Sequence, residues 1–99
     1  MSFAVIVTFK VHDADIAAFM PLMVKQAKNS LELEPACRIF EIWQNSGDES
    51  TVKLYEVYDD SAAFQSHLDS DHFKAFDQAV ASMIAHKNIE RLDRKIELD

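Results

Sequence analysis

The opening stretch, FAVIVTFKV (Phe3–Val11), is apolar at every odd position and largely apolar at the even ones. β-Branched and aromatic residues dominate it, which predicts a strand. Phe3, Val5, Val7, Phe9 and Val11 share one face; Ala4, Ile6 and Thr8 share the other. A strand apolar on both faces has to be covered on both. The period then changes. Ile16, Phe19, Met20, Met23, Ala27, Ser30 and Leu31 fall on one helical stripe. They predict a helix over about 14–33, capped by Asp13 or Asp15. Pro21 within it removes a hydrogen bond to the Ala17 carbonyl and predicts a kink. Glu34-Pro35 ends the helix. CRIFEIWQ (Cys37–Gln44) and TVKLYEVY (Thr51–Tyr58) predict two strands joined as a hairpin by about six residues. Gly47 in that loop is free to take positive φ.

Beyond the hairpin, Asp59-Asp60-Ser61 opens a short helix carrying Ala62, Ala63, Phe64 and Leu68. Asp69-Ser70-Asp71 breaks it, and Ser70 or Asp71 can cap a second segment whose stripe is Phe73, Phe76, Val80, Met83 and Ile84. In HKNIERLDRKIEL the pattern is compatible with a helix through Ile89, Leu92 and Ile96, or with a strand. Strand, helix, strand, strand, helices and a possible last strand make an α+β chain of the ferredoxin-like, split βαβ plan. It has one antiparallel sheet with helices on one face. A single domain over 1–99 is expected. No helix remains for the other sheet face, so a second copy of the sheet, in a homodimer, is the expected cover.

Composition sharpens this. Hydrophobic residues make up 48% of a 99-residue chain, rich for a domain with so thin a core, so some apolar surface serves a pocket or partner. A net charge of −7 argues against nucleic acid, whose phosphates need clustered Lys and Arg. It also argues against an anionic membrane. No apolar run approaches a transmembrane helix, and no signal peptide is visible. The single cysteine allows no internal disulfide, and a cytoplasmic setting is expected. One glycine in the whole chain rules out dinucleotide fingerprints, P-loops and nucleophile elbows, each of which needs several.

The candidate chemistry lies in SAAFQSHLDSDHFKAF. His67 follows Phe64 and precedes Leu68; it is a half-buried structural histidine or a pocket acid–base group. His72 sits in a helix's first turn, where the dipole favours the neutral ring, which can accept a phenol's proton. A 2-His-1-carboxylate set with Asp69 or Asp71 is conceivable, but the five-residue spacing is poor for it, and no metal is expected. Glu56, between apolar neighbours, needs a partner. An Arg or Lys would make it structural; without one it becomes a base of raised pKa. Glu56 and Tyr58 share one strand face, Lys53 and Tyr55 the other. Trp43, Phe40, Tyr55 and Tyr58 can pack or orient a flat ring, or serve as ordinary core. Cys37 reads as inert packing.

LYEVYDDSAAFQSHLDSDHFKAFDQAV, preceded by EPACRIFEIWQ, resembles the antibiotic biosynthesis monooxygenase (ABM) family. The shared pattern is a Tyr-Glu ending a strand, an Ala-Phe opening a helix, a His three residues on, and a Ser-x-His-Phe-Lys restart. The resemblance implies a dimeric α+β barrel with a pocket between sheet and helices. It also implies one of three activities: cofactor-independent oxidation of quinols or phenols, haem degradation, or isomerisation as in autoinducer-2 degrading proteins. Positions 6, 67 and 77, which are Asn, Trp and His in the haem degraders, are Ile6, His67 and Asp77 here, against haem degradation. The first-helix His of some isomerase relatives falls on Ala27. A quinol or phenol oxygenase without cofactor is therefore the expectation, with His67 or His72 as base. An isomerase of a small phosphorylated or polyoxygenated metabolite is the second reading, and a phosphate would want Lys28, Lys53 or Lys74 at the pocket. A non-catalytic ligand-binding dimer is the third reading.

Overall fold

The computed structural model describes residues 2–98, so the two ends of the expected 1–99 domain lie outside the described residues. The elements are β1 (Phe3–Val11), α1 (Ile16–Leu33), β2 (Cys37–Asn45), β3 (Asp48–Tyr58), α2 (Ser61–Asp69), α3 (Asp71–Val80) and β4 (Ile84–Leu92). The sheet order is β2-β3-β1-β4, and every neighbouring pair is antiparallel. This is the ferredoxin-like α+β architecture. Phe3, Val5, Val7, Phe9 and Val11 of β1 are all buried, and with Val52, Leu54 and Tyr58 of β3 they meet Phe19, Met23 and Ala27 of α1. The alternation read from the sequence therefore sets which face carries the helices.

Several local expectations change. The hairpin is tighter than six residues: the strands reach Asn45 and Asp48, leaving Ser46-Gly47 between them. Gly47 does not take positive φ. Its N–H bonds the Asn45 side chain at 2.9 Å instead. Neither Asp13 nor Asp15 caps α1 through its side chain; Asp13 accepts a hydrogen bond from the Ser50 hydroxyl. The helix itself agrees with the sequence reading, with Pro21 inside α1, which continues to Leu33. Leu31 is exposed and Gln26 takes its place among the buried residues. The α3 stripe ends at Val80, so Met83 falls in a short 3-10 turn and Ile84 begins β4.

The ambiguous last segment is a strand through Leu92, with no regular structure over 93–98. Pairing with β1 decides it, because edge hydrogen bonds satisfy backbone groups that a free helix would leave to water. Lys87, Ile89 and Arg91 stand opposite Phe9, Val7 and Val5, so they point toward the helices. On the other face Trp43, Tyr55 and Leu92 are exposed. No helix of the described residues is long and apolar enough to cross a membrane.

Candidate functional site

The helical break forms as its residues dictate. Asp60 caps α2 by accepting from the Ala63 N–H at 2.8 Å. Ser70 ends α2 with its hydroxyl donated to the His67 carbonyl at 2.7 Å. The same oxygen accepts from the Phe73 N–H at 3.2 Å and starts α3. The restart brings His67 and His72 to one side, ring centroids 5.9 Å apart, where a continuous helix would set them about 140° apart.

His67 is buried, with 3% of its surface exposed. Its ring lies 5.1 Å from Phe73, 5.4 Å from Tyr58, 6.0 Å from Phe64 and 6.2 Å from Phe40, between centroids. Nδ1 meets Glu34 Oε2 at 2.9 Å. A carboxylate there places the ring proton on Nδ1 and leaves Nε2 as an acceptor. Burial pushes the imidazolium down to about 4, with Lys87 a smaller contributor in the same direction. His72 Nδ1 approaches Gln26 Oε1 at 3.3 Å. Its Nε2 is 2.8 Å from Glu34 Oε2, and the His72 charge and hydrogen bond partly offset the rise that burial gives the Glu34 carboxyl. The buried Gln26 Nε2 has no hydrogen-bond partner.

Glu56 is the second centre. Tyr58 donates its hydroxyl to Glu56 Oε1 at 2.5 Å. Among the described residues of this one chain no Arg or Lys forms an ion pair with Glu56, and the Tyr58 hydroxyl is its hydrogen-bond partner. Burial raises the Glu56 carboxyl to about 7, against smaller lowering by the Tyr58 hydrogen bond and the Lys87 charge. Burial likewise raises the Tyr58 hydroxyl, so it stays a donor. Cys37 is buried and pushed up to about 12, chiefly by that burial, which suits inert packing.

A chamber lies between the sheet and the helices. Its polar wall is Gln26, Glu56, His67 and Lys87; Phe40, Phe64 and Phe73 are among its apolar walls. The space open to the centre of a water is ≈ 30 Å³. A single water needs roughly 10–15 Å³ by that measure, so the chamber has room for about two waters and is too small for an aromatic ring. Beside it, between α1 and α3, runs an outer groove of ≈ 240 Å³ lined by Leu22, Lys25, Asn29, His72 and neighbours. Gln26 and Phe76 line both spaces and form the partition between them.

Of the residues singled out from the sequence, His67, Glu56 and Phe40 reach the chamber, and His72 lines the groove. Tyr58 is fully buried behind Glu56 and is not part of the wall. Trp43 and Tyr55 sit on the opposite sheet face, paired with Lys53 and Glu41, so the reading of them as ring-packing residues is corrected for this chamber, which neither lines. Their strand register puts Lys53 and Tyr55 one pleat away from Glu56. Lys28, Lys53 and Lys74 line neither space; the cations that do are Lys87 in the chamber and Lys25 in the groove. Among the described residues no three His, Cys, Asp or Glu side chains gather as a metal set, and Asp69 and Asp71 do not join the histidines.

Sequence reasoning missed Gln26, Glu34 and Lys87. Gln26 carries a signal, since it lies three residues after Met23 and four before Ser30, on the buried stripe. Lys87 becomes inward-facing once its segment is a strand. Glu34 has no such signal: it follows α1, its N–H bonded to the Ser30 carbonyl at 3.1 Å, and only the tertiary approach of α2 and α3 gives it a role.

The family model for antibiotic biosynthesis monooxygenase matches residues 2–79, and the chain belongs to that family. No protein of curated function matches it. Among solved structures it is similar to a provisionally named antibiotic biosynthesis monooxygenase of Caulobacter crescentus, at 28% identity and TM-score 0.89, covering 96% of this chain and 91% of that one. A Mycobacterium tuberculosis protein has 19% identity and TM-score 0.89 with both chains fully covered. A Nitrosomonas europaea protein has 22% identity and TM-score 0.88, covering 94% and 89%. The last two likenesses speak to the fold.

Proposed function

We propose that this protein is a cofactor-independent monooxygenase acting on a small quinol or related phenol. The observation that carries the reading is Glu56, a carboxyl raised by burial to about 7 on the wall of an aromatic-lined chamber that also holds Lys87. Oxygen reacts slowly with a neutral phenol and readily with a phenolate, so the protein's work is to make and hold the anion. Glu56 takes the hydroxyl proton, with a pKa suited to a base near neutrality. Lys87 offsets the phenolate charge in a place of low polarity. Neutral His67, its tautomer set by Glu34, lies against the ring and presents Nε2 to the same hydroxyl.

The electrons balance without a further reductant. The quinol supplies all four; one oxygen atom enters the ring, the other leaves as water, and a hydroxyquinone remains. The ring's room comes from displacing Phe76 and Gln26, which joins chamber and groove. Oxygen consumption by chelator-treated protein over a panel of quinols tests the reading. Uptake matching quinol consumed is expected; uptake no faster than the protein-free rate across the panel counts against it.

A homodimer belongs to the same reading. Trp43 is 62% and Tyr55 38% exposed on a sheet face that also carries Ile6, Ile39, Val57 and Leu92. A second copy of that face is the natural cover. Changing Trp43 and Tyr55 both to Glu is expected to weaken self-association by about a hundredfold or more, two interface anchors being lost. Sedimentation equilibrium checks this, and a wild-type protein that is monomeric throughout would exclude the dimer.

A further inference from the structure

Along β1 the sheet's inner face is wholly apolar, whereas on the edge strand β4 it reads Lys87, Ile89 and Arg91. Ile89 lines the chamber and yet is 40% exposed, so at β4 the chamber wall is one side chain thick. Lys87 and Arg91 stand on either side of it. Each lies against an aromatic ring that itself walls the chamber. Lys87 Nζ is 5.8 Å from the centroid of Phe73, and the Arg91 guanidinium is 5.1 Å from that of Phe64. Neither charge is well matched. Among the described residues Arg91 forms no ion pair, and Lys87 reaches only Asp77, at 3.9 Å. In a chain of net charge −7, two poorly matched cations beside a thin wall make a local seat for an anion. Inward charges on an edge strand also discourage pairing with a stray strand, but that role needs no chamber behind them. The strand register adds a direction. Glu56 of β3 and Arg91 of β4 both stand opposite Val5. They share one cross-strand row, two strand spacings or about 10 Å apart along the backbone.

We infer that the ligand carries a carboxylate at the end of its ring opposite the hydroxyl that Glu56 receives, and that Arg91 reads this carboxylate at the Ile89 wall. This rests on the proposed phenol reading and adds to it a charge requirement. The hydroxyl lies at Glu56, the ring follows the row toward β4, and the carboxylate emerges beside Ile89. There the guanidinium turns from Phe64 and donates two parallel hydrogen bonds to the two carboxylate oxygens. Phe64 stays in place as the chamber wall. An amide or a hydroxyl at the same end of the ring gains no ion pair, so a neutral phenol of the same shape is the weaker ligand.

Calorimetry with 4-hydroxybenzoate and 4-hydroxybenzamide, alike in shape and different in charge, tests it without oxygen or turnover. The wild type is expected to bind the acid at least about tenfold more tightly than the amide, the worth of one charge-assisted pair. Added salt should shrink this preference, because the seat is open to solvent. Arg91→Gln should bring the two ligands within about threefold while leaving the amide's affinity unchanged, and Arg91→Lys should keep part of the preference. Arg91 is exposed, so both variants are expected to fold, and the salt titration of the wild type tests the site without either. Equal affinities in the wild type, no measurable binding of the acid, a preference that salt leaves unchanged, or one that survives Arg91→Gln would overturn the site and leave Arg91 a guard of the sheet edge. The preference with no oxygen uptake on any quinol, carboxylated or neutral, would sink the oxygenase reading and leave the site standing. Oxygen uptake with equal affinities would do the reverse.

Discussion

Replacing Glu56 with Gln lowers kcat on a quinol by about 10²–10⁴-fold, the usual contribution of a positioned base, while the protein stays folded. Gln is nearly isosteric and its carbonyl still accepts from Tyr58, so the geometry survives and only the proton acceptor goes. In the wild type the rate rises with pH through about 7 and then levels, because the base must be ionised and burial has raised it to about 7. Tyr58→Phe removes the hydrogen bond that lowers this value and moves the rising limb to higher pH. A limb near 4 would instead assign the proton to His67, whose burial holds it at about 4. A loss of less than about threefold in Glu56→Gln would remove Glu56 from the chemistry.

The second large effect is on stability, and the two buried groups give it opposite signs. Glu56 has a folded pKa of about 7, above its ordinary 4.5. The folded state then holds the proton more tightly than the unfolded one, and stability falls as pH rises from about 4.5 through 7. His67 has a folded pKa of about 4, below its ordinary 6.5. The unfolded state then binds the extra proton, so stability falls as pH drops from about 6.5 through 4. Each shift corresponds to about 3 kcal/mol between its limits. Between about pH 4.5 and 6.5 the two slopes oppose and the wild type is nearly flat in this pair's contribution. Glu34, also raised by burial, adds in the direction of Glu56. Urea midpoints measured across this window should rise with pH in Glu56→Gln and fall with pH in His67→Gln. Variants that keep the wild-type pH dependence would show that neither group is held in its buried state.

The fold was legible because its signals are local and mutually consistent. Five alternating apolar residues in β1, the stripe from Phe19 to Ala27 and the Ser70 cap each specify an element with little tertiary help. The hairpin was misjudged because Thr51 to Tyr58 carries the apolar pattern, while the paired residues Asn45 and Asp48 are polar and extend the ladder by backbone bonds alone. His67 and Glu56 were visible as polar residues in apolar settings. The rest of the site was hidden for a different reason. Glu34 and His72 are 38 positions apart, and a single carboxylate oxygen links His67 to His72 only after three helices pack. The odd spacing of Tyr55 and Tyr58 put them on opposite faces of β3 in the sequence, but which face meets the helices was set only by tertiary packing. Lys87 depended on β4 being recognised as a strand.

The central claim is that a chamber wall carrying Glu56 and Lys87 turns a bound phenol into its anion. Anaerobic absorbance difference spectra of a bound quinol measure this directly, with no oxygen chemistry to follow. At pH 8, below the quinol's own ionisation, the wild type should show the phenolate band and Glu56→Gln the neutral phenol. A bound quinol that stays neutral in the wild type, or that ionises equally in Glu56→Gln, would contradict the account.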